Sequence, residues 1–542
     1  MIKKLFSKAS SITAAAIIIA VAGLLSRFLG VIRDRVLASR FGAGDELDVY
    51  YAAFQLPDIV FNLLVLGALS AGFIPVFMQF LKDEDKTGYR ANEAAWILVN
   101  TVLNIFGFGL LILGLALAFC SQWILPITIP GFSGDKLEQT IALSRIMFLS
   151  PFLLGLSAIF GGVLQSYKRF LLFSLSPIMY NAGIIFGALF LTRFWGVYGL
   201  ALGVIIGAFL HMIIQVPAVI KFGWRYHLVF DFKNSGFLKI LKMTGPRVLA
   251  LASNQINLLI VTFLASFLPL GSLAIFNLAN NLQSFPVGIF GISFAVAAFP
   301  TLSKAFVNKD ENEFNQTFLR TVKQIMFLII PFSLLLVILR IQLVRVILGA
   351  GQFDWTATEL TASAVGVFCL SLFAQALTPF IDRVYFARQD TMTAFWVSLI
   401  SVGINFGVSF YLIRYLGMLG LVFGFSISSI VNFILLIVIL RFKVKSISFA
   451  GLVDSLLRVS LASLAMAVVA QNVKTILGLV VDMNRFWGVF TQGAIAGILG
   501  LVTFAVAAYL LKIEEFDYFA NGLKRRFLKK VKVEETNMQE LG

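Results

Sequence analysis

RFWGVYGLALG at Arg193–Gly203 and RYLGMLGLVFG at Arg414–Gly424 carry an arginine and three glycines in the same register, 221 positions apart. Pro75 with the acidic KDEDK after it and Pro300 with NKDEN repeat the relationship at an offset of 225. Two nearly equal offsets from separate regions mean that the chain is written twice, in halves of about 1–230 and 231–445. A repeat of this kind constrains the architecture before any single element does.

The segments between these marks are apolar. Of 542 residues, 59% are apolar and 13% charged, and the mean hydropathy is +0.93, which leaves too little polar surface for a water-soluble globule. A run of about 20 apolar residues spans a ~30 Å hydrocarbon core. Fourteen such runs can be placed, the first near residues 11–41 and the last near 485–511. The expected fold is therefore all-α: a polytopic membrane protein of about 14 transmembrane helices in two parallel six-helix repeats plus a C-terminal helix pair. Because six is even, both halves enter the bilayer in the same direction, and such halves commonly enclose a central site. The expected divisions are an N-lobe (1–230), a C-lobe (231–445), the helix pair (446–513) and a basic cytoplasmic tail (514–542).

The net charge of +16 is spread over short segments between the apolar runs, so it reads as membrane orientation and not as nucleic-acid binding. Lys82, Lys86 and Arg90, Lys168 and Arg169, Lys304 and Lys309, and Arg441, Lys443 and Lys445 fall on one side of the alternation. The positive-inside bias, with Lys3, Lys4 and Lys8, places both termini in the cytoplasm. The lysines and arginines of KRRFLKK, Lys524–Lys530, read as a solvated or lipid-surface stretch. Cys120 and Cys369 both sit in apolar runs and offer no disulfide framework, and His211 and His227 cannot form a ligand cluster by themselves.

One stretch violates the charge pattern. SRFLGVIRDRVLASRFGAG, Ser26–Gly44, puts Arg27, Arg33, Arg35 and Arg40 at the far end of the first apolar run, where the bias should leave no arginine. A charge at membrane depth costs about 3 kcal/mol or more, so it normally faces a wet cavity and marks a pathway. Arg35 and Arg40 suit an interfacial anchor with outward-reaching side chains. Arg27 and Arg33 do not, because Arg27 follows only about fourteen apolar residues and lies within the bilayer. Guanidinium stays protonated when desolvated and grips phosphate or carboxylate through two parallel hydrogen bonds. Arg145 and Arg247 are further charges that can reach the interior. No nucleotide-binding loop, nucleophile elbow, zinc-protease pair or paired catalytic carboxylates stands in the short loops. The chain reads as a transporter and not an enzyme, without a nucleotide cofactor and with no metal site assigned.

SRFLGVIRDRVLASRFGAGDELDVYYAAFQLPD (Ser26–Asp58) resembles the opening signature of the MurJ (MviN) lipid II flippases, within the multidrug/oligosaccharidyl-lipid/polysaccharide exporter superfamily. The likeness continues through GALSAGFIPVF (Gly67–Phe77), the Gly245–Leu268 and Phe285–Phe306 stretches, GAGQFD (Gly349–Asp354) and YFARQDTMT (Tyr385–Thr393). It implies a bacterial cytoplasmic-membrane transporter that moves undecaprenyl-pyrophosphate disaccharide pentapeptide outward by alternating access, with the prenyl tail along the last two helices. It also implies a part in peptidoglycan biosynthesis; with no nucleotide-binding motif in the sequence, membrane potential or an ion gradient is the expected drive. An exporter of drugs or of another polyprenyl-linked saccharide is the alternative within the superfamily.

By position, Arg27 and Arg33 match family arginines for the lipid pyrophosphate, and Asp34 and Asp48 match their acidic partners. The chain also departs from the family pattern. Paired arginines and a Glu-Gly-Ala motif of the second helix are replaced at Phe61, Asn62 and Leu66, and an eighth-helix arginine falls on Asn281. Arg247 and Arg383, or polar contacts from Asn280, Asn281 and Gln283, are the candidates to make up the difference. The carboxylates of a sodium site in some members are not matched, Val261 standing at one position and Asn405 being the one polar candidate.

Overall fold

The computed structural model describes residues 12–84, 88–91, 93–444 and 451–521. Lys3, Lys4, Lys8, Lys445 and the Lys524–Lys530 stretch lie outside the described residues.

Lipid offers no hydrogen bonds, so an apolar segment must satisfy its own backbone, and a helix does so within one stretch of chain. The expected spans are all helical. α1 is Ile12–Phe41; α2 is Asp45–Val60, continuing through a π-helical stretch, Phe61–Leu69, into Ser70–Met78. The first half is completed by α3 (Glu93–Thr128), α4 (Gly134–Ser166), α5 (Phe170–Trp195) and α6 (Tyr198–Lys221). The second half runs α7 (Ser235–Ala265), α8 (Ser272–Val307), α9 (Glu311–Ile347), α10 (Trp355–Ala387), α11 (Thr391–Leu416) and α12 (Met418–Lys443). α13 (Leu452–Val480) and α14 (Phe486–Leu510) follow. Among the described residues eleven helices, α3–α6 and α8–α14, are long and apolar enough to cross a membrane, and α7 contributes a shorter apolar stretch, Ala252–Ala265. One element was not expected: β1 (Leu81–Glu84) and β2 (Gly88–Ala91) pair antiparallel, Leu81 opposite Ala91, in the acidic loop after α2.

The internal repeat is visible in the backbone. Gly196 and Gly417 both turn left-handed, at φ +52° and +54°. Each donates to the carbonyl four residues back, Thr192 and Ile413, at 3.0 Å, and each accepts from the next motif glycine, Gly199 or Gly420, at 3.0 Å. Arg193 lies over the ring of Phe190 and Arg414 over that of Phe410. A second pair of turns obeys the same 221-residue offset. Lys168 and Gln389 take φ +57° and +60°, and the following amides of Arg169 and Asp390 reach back to Leu164 and Tyr385. The π-helical stretch of α8, Val287–Ile292, shifted by the 225-residue offset, falls inside that of α2. Proline prepares both: Pro57 and Pro286 each withdraw a backbone donor just before the ladder widens.

The chain forms two compact units. The first comprises Met1–Leu278, Ile347–Leu360 and Val402–Gly424; the second comprises Ala279–Val346, Thr361–Ser401 and Phe425–Gly542. Packing therefore groups α7 with α1–α6, whereas the repeat groups it with α8–α12. The core of the first unit is aromatic. Phe73 stacks on Phe77 at 5.5 Å, and Tyr167 on Phe222 at 4.2 Å. α5 and α6 touch through paired glycines, where a Cβ on Gly183 or Gly187 would strike the backbone of Gly207 or Gly203. Small residues allow such close approach between helices in lipid, where apolar burial drives little association. In the second unit α13 and α14 pack on α9, with Phe327 5.3 Å from Phe504 and Met466 fully buried beside them.

Candidate functional site

The anomalous arginines of α1 receive different surroundings. Arg33 directs its Nε and Nη2 to Asp34 Oδ1, at 3.0 and 2.8 Å, and its Nη1 to Asn181 Oδ1 on α5, at 3.2 Å. Asn181 is itself fixed, its Nδ2 donating to Pro177 O at 3.1 Å. A guanidinium has five N–H groups, so these three bonds leave two for a ligand. Tyr50 and Tyr51 of α2 lie within electrostatic reach of Arg33, and the hydroxyl of Tyr51 is buried with no hydrogen-bond partner. Arg27, two turns earlier on α1, is exposed and has no ion pair or hydrogen bond among the described residues. The N–H groups left on Arg33 and the unsatisfied phenol of Tyr51 are donors that an anion can accept from.

Asp34 is buried and serves as the counter-ion that orients Arg33. Asp48 stands apart from them and is fully engaged. Its Oδ2 accepts from Lys136 Nζ of α4 at 3.1 Å and from Gly271 N at 2.8 Å, and its Oδ1 accepts from Ala274 N at 2.9 Å. Asp48 thus supplies, from the first repeat, the cap that the first turn of α8 lacks in its own sequence. The surrounding loops are drawn equally close. Gln352 N donates to Ser39 O at 2.9 Å, and Gly131 N to Ser266 Oγ at 3.1 Å. Gly271 (φ +81°) and Gly351 (φ +60°) admit no side chain, because a Cβ would overlap the carbonyls of Ala43 and Ser39. Arg35, expected as an interfacial anchor, instead donates to Ile347 O, the last carbonyl of α9, at 3.1 Å. A cation at a helix C-terminus is favourably placed. This end of the first unit is thereby closed.

The remaining candidates fall elsewhere. Arg145 is exposed and donates to Ala118 O and Gln122 Oε1 on α3. Arg247 lies in α7, and its side chain is outside the described residues. In the second unit, Arg383 gives one N–H to Pro379 O at 3.0 Å and keeps the rest of its fork. Asn280 and Gln283, neighbours of Asn281, belong to a polar ladder: Gln283 Nε2 donates to Asn280 Oδ1 and Gln375 Oε1, and Gln375 Nε2 to Ser371 Oγ. Asn405 is occupied by Asn257 at 2.6 Å and Ser409 at 2.9 Å. Asn62, where relatives were expected to carry an arginine, donates to Asp58 Oδ2 at 2.8 Å. His211 Nδ1 shares a 2.7 Å bond with Ser157, which also accepts from Gln215.

Sequence reasoning missed Lys136, Asn181 and Tyr51. Lys136 did leave a signal, being a lone lysine in a loop that charge bias should keep poor in positive charge. Asn181 and Tyr51 left none, because an asparagine or tyrosine in an apolar run acquires meaning only from what faces it.

Residues 37–523 match the family model described as lipid II flippase MurJ. Among curated relatives, the "Probable lipid II flippase MurJ" of Buchnera aphidicola subsp. Acyrthosiphon pisum is 30% identical over 76% of this chain and 80% of its own length. That of Rickettsia prowazekii is 27% identical over 92% and 98%. The lipid II flippase MurJ of Burkholderia cenocepacia is 26% identical over 76% and 80%. Among solved structures, an inward closed conformation of lipid II flippase MurJ superposes with a TM-score of 0.74 at 24% identity, over 91% of this chain and 99% of that one. An inward-facing multidrug resistance MATE family transporter of the MOP superfamily shares the fold at TM-score 0.63 and 14% identity, over 78% and 96%. With the family model spanning most of the chain, the protein belongs to the MurJ lipid II flippase family.

Proposed function

We propose that this protein moves lipid II, the undecaprenyl-pyrophosphate disaccharide pentapeptide, from the inner to the outer leaflet of the bacterial cytoplasmic membrane by alternating access, with both termini cytoplasmic. The observation that carries the reading is Arg33. Its guanidinium is held by Asp34 and Asn181 on a membrane helix, with two N–H groups left over and Arg27 unpaired nearby in sequence. A pyrophosphate offers the fixed acceptors that such a fork fits, and it keeps its charge in a site from which water is partly excluded.

Arg27 and Arg33 bind the pyrophosphate in this scheme, and Asp34 sets the fork. Asp48 acts at the closed end, governing access instead of touching the lipid. Arg383 and Asn281, with Arg247, supply the polar contacts of the second repeat. The prenyl tail stays in lipid along α13 and α14, and membrane potential or an ion gradient drives the cycle.

Complementation of a flippase-depleted bacterium tests the reading. Arg27→Ala and Arg33→Ala chains should be made and inserted yet fail to sustain wall synthesis. Full growth on both would overturn the assignment.

A further inference from the structure

Two cations of the second unit have no place in this scheme. Arg340 sits seven residues before the end of α9 and Lys474 six before the end of α13. At 1.5 Å per residue both lie about 10 Å below the helix ends. Arg340 has no ion pair or hydrogen bond among the described residues. Its side chain lies across α10 at Gly366, where an added Cβ would stand 3.2 Å from Cδ and 3.3 Å from Nη1. Lys474 reaches across to α9 and donates a hydrogen bond to Ile338 O at 2.9 Å.

The two charges are within electrostatic reach of each other, and no carboxylate pairs with either among the described residues. Around them runs a polar ladder. Gln492 Nε2 of α14 donates to Lys474 O at 2.8 Å, and Gln342 Nε2 of α9 donates to Gln492 Oε1 at 2.9 Å. Gln342 Oε1 is buried with no donor.

Cations at this depth ordinarily reach outward to water or pair with an acid. Lys474 instead turns inward to a main-chain carbonyl, which holds it beside a second positive charge. We infer that Arg340 and Lys474 form a binding site for a lipid-borne phosphate, where α13 meets α9 near the C-terminal ends of both helices. The phosphate bridges the guanidinium and the ammonium. The orphan Gln342 carbonyl can accept from a hydroxyl or ammonium next to such a phosphate. On the orientation proposed above, the site lies in the outer leaflet. The phosphate then comes either from a polyprenyl pyrophosphate that has crossed or from an anionic phospholipid.

Native mass spectrometry of the full-length chain, released from phosphatidylcholine nanodiscs doped with phosphatidylglycerol or with undecaprenyl pyrophosphate, tests the site. The unaltered chain should retain a phosphate lipid. Arg340→Gln/Lys474→Gln should weaken its retention at least about tenfold, the loss expected when charge-assisted hydrogen bonds are removed. Arg340→Lys/Lys474→Arg, which keeps both charges, should retain it. Preferential retention of the pyrophosphate identifies the transported lipid as the occupant, and preference for phosphatidylglycerol identifies a resident phospholipid. Equal retention by the glutamine double variant overturns the site. An Arg27→Ala/Arg33→Ala chain should keep this lipid while failing to transport, which separates failure here from failure of the transport reading.

Discussion

Gly271 donates its backbone N–H to the carboxylate of Asp48 at 2.8 Å, across 223 residues of sequence. The same carboxylate takes Ala274 N and the ammonium of Lys136, so one side chain holds a loop, a helix start and a second helix together. Removing one partner of a buried pair costs about 3–5 kcal/mol. Asp48→Ala should therefore loosen this end and lower the melting temperature of the detergent-purified protein. The exchange Asp48→Lys/Lys136→Asp should not restore it, because two backbone N–H groups would then face an ammonium. Recovery by the exchange would show that the ion pair alone matters.

Arg33→Lys should fail where charge alone would predict success. An ammonium cannot serve Asp34 and Asn181 together and still present a fork to a ligand. With charge-assisted bonds worth about 1.5–3 kcal/mol each, lipid II translocation in proteoliposomes should fall at least about tenfold. Arg27→Lys, at a position with no partner among the described residues, should be affected far less.

Gly196→Ala and Gly417→Ala should be equally destabilising. Both glycines turn at positive φ, and neither has any atom within 4 Å of the place a Cβ would occupy. Only the positive-φ backbone is penalised, by about 1–3 kcal/mol. Matched unfolding curves in mixed micelles should agree within about 0.5 kcal/mol; a wide gap would mean that the two turns are not equivalent.

Asp390, in the turn between α10 and α11, accepts from Lys443 Nζ and from the amide and hydroxyl of Thr393. Partial burial pushes its carboxyl up, but the bonds from Lys443 and Thr393 outweigh that and hold it below the usual carboxylate range. A depressed carboxylate stabilises the fold fully above its unfolded value, about pH 4, and the contribution disappears as pH falls through the lower folded value. Asp390→Asn should thus lower the melting temperature at neutral pH. The difference from the unaltered chain should shrink in acid, and a constant difference down to pH ~2 would refute the assignment.

The helices were legible because lipid leaves an apolar stretch almost no alternative, and the repeat was legible because each copy turns on a glycine whose positive φ costs any other residue free energy. The charge anomaly of Ser26–Gly44 was legible for the same reason, since arginine inside a bilayer needs an explanation. How those charges would be satisfied was not. Arg33 folds back onto its neighbour Asp34, and Asn181 of α5 accepts from another N–H of its fork. Asp48 looked like a partner for those arginines until distant backbone amides claimed it. The β1–β2 hairpin was hidden in a short charged loop with no alternating pattern to announce it. Contacts between segments hundreds of residues apart leave no periodicity in the sequence.

The paired π-helical stretches of α2 and α8 bear on how a rigid rod can change its facing. Each widened turn takes in an extra residue, so the helix on one side is rotated about its axis relative to the other by roughly 100°, the angle one residue subtends. Letting such a widening migrate by a turn re-aims the side chains it passes while exchanging only a few backbone hydrogen bonds. Both repeats carry this swivel at corresponding positions in the sequence. The two related helices can therefore turn a face inward or outward without being unwound.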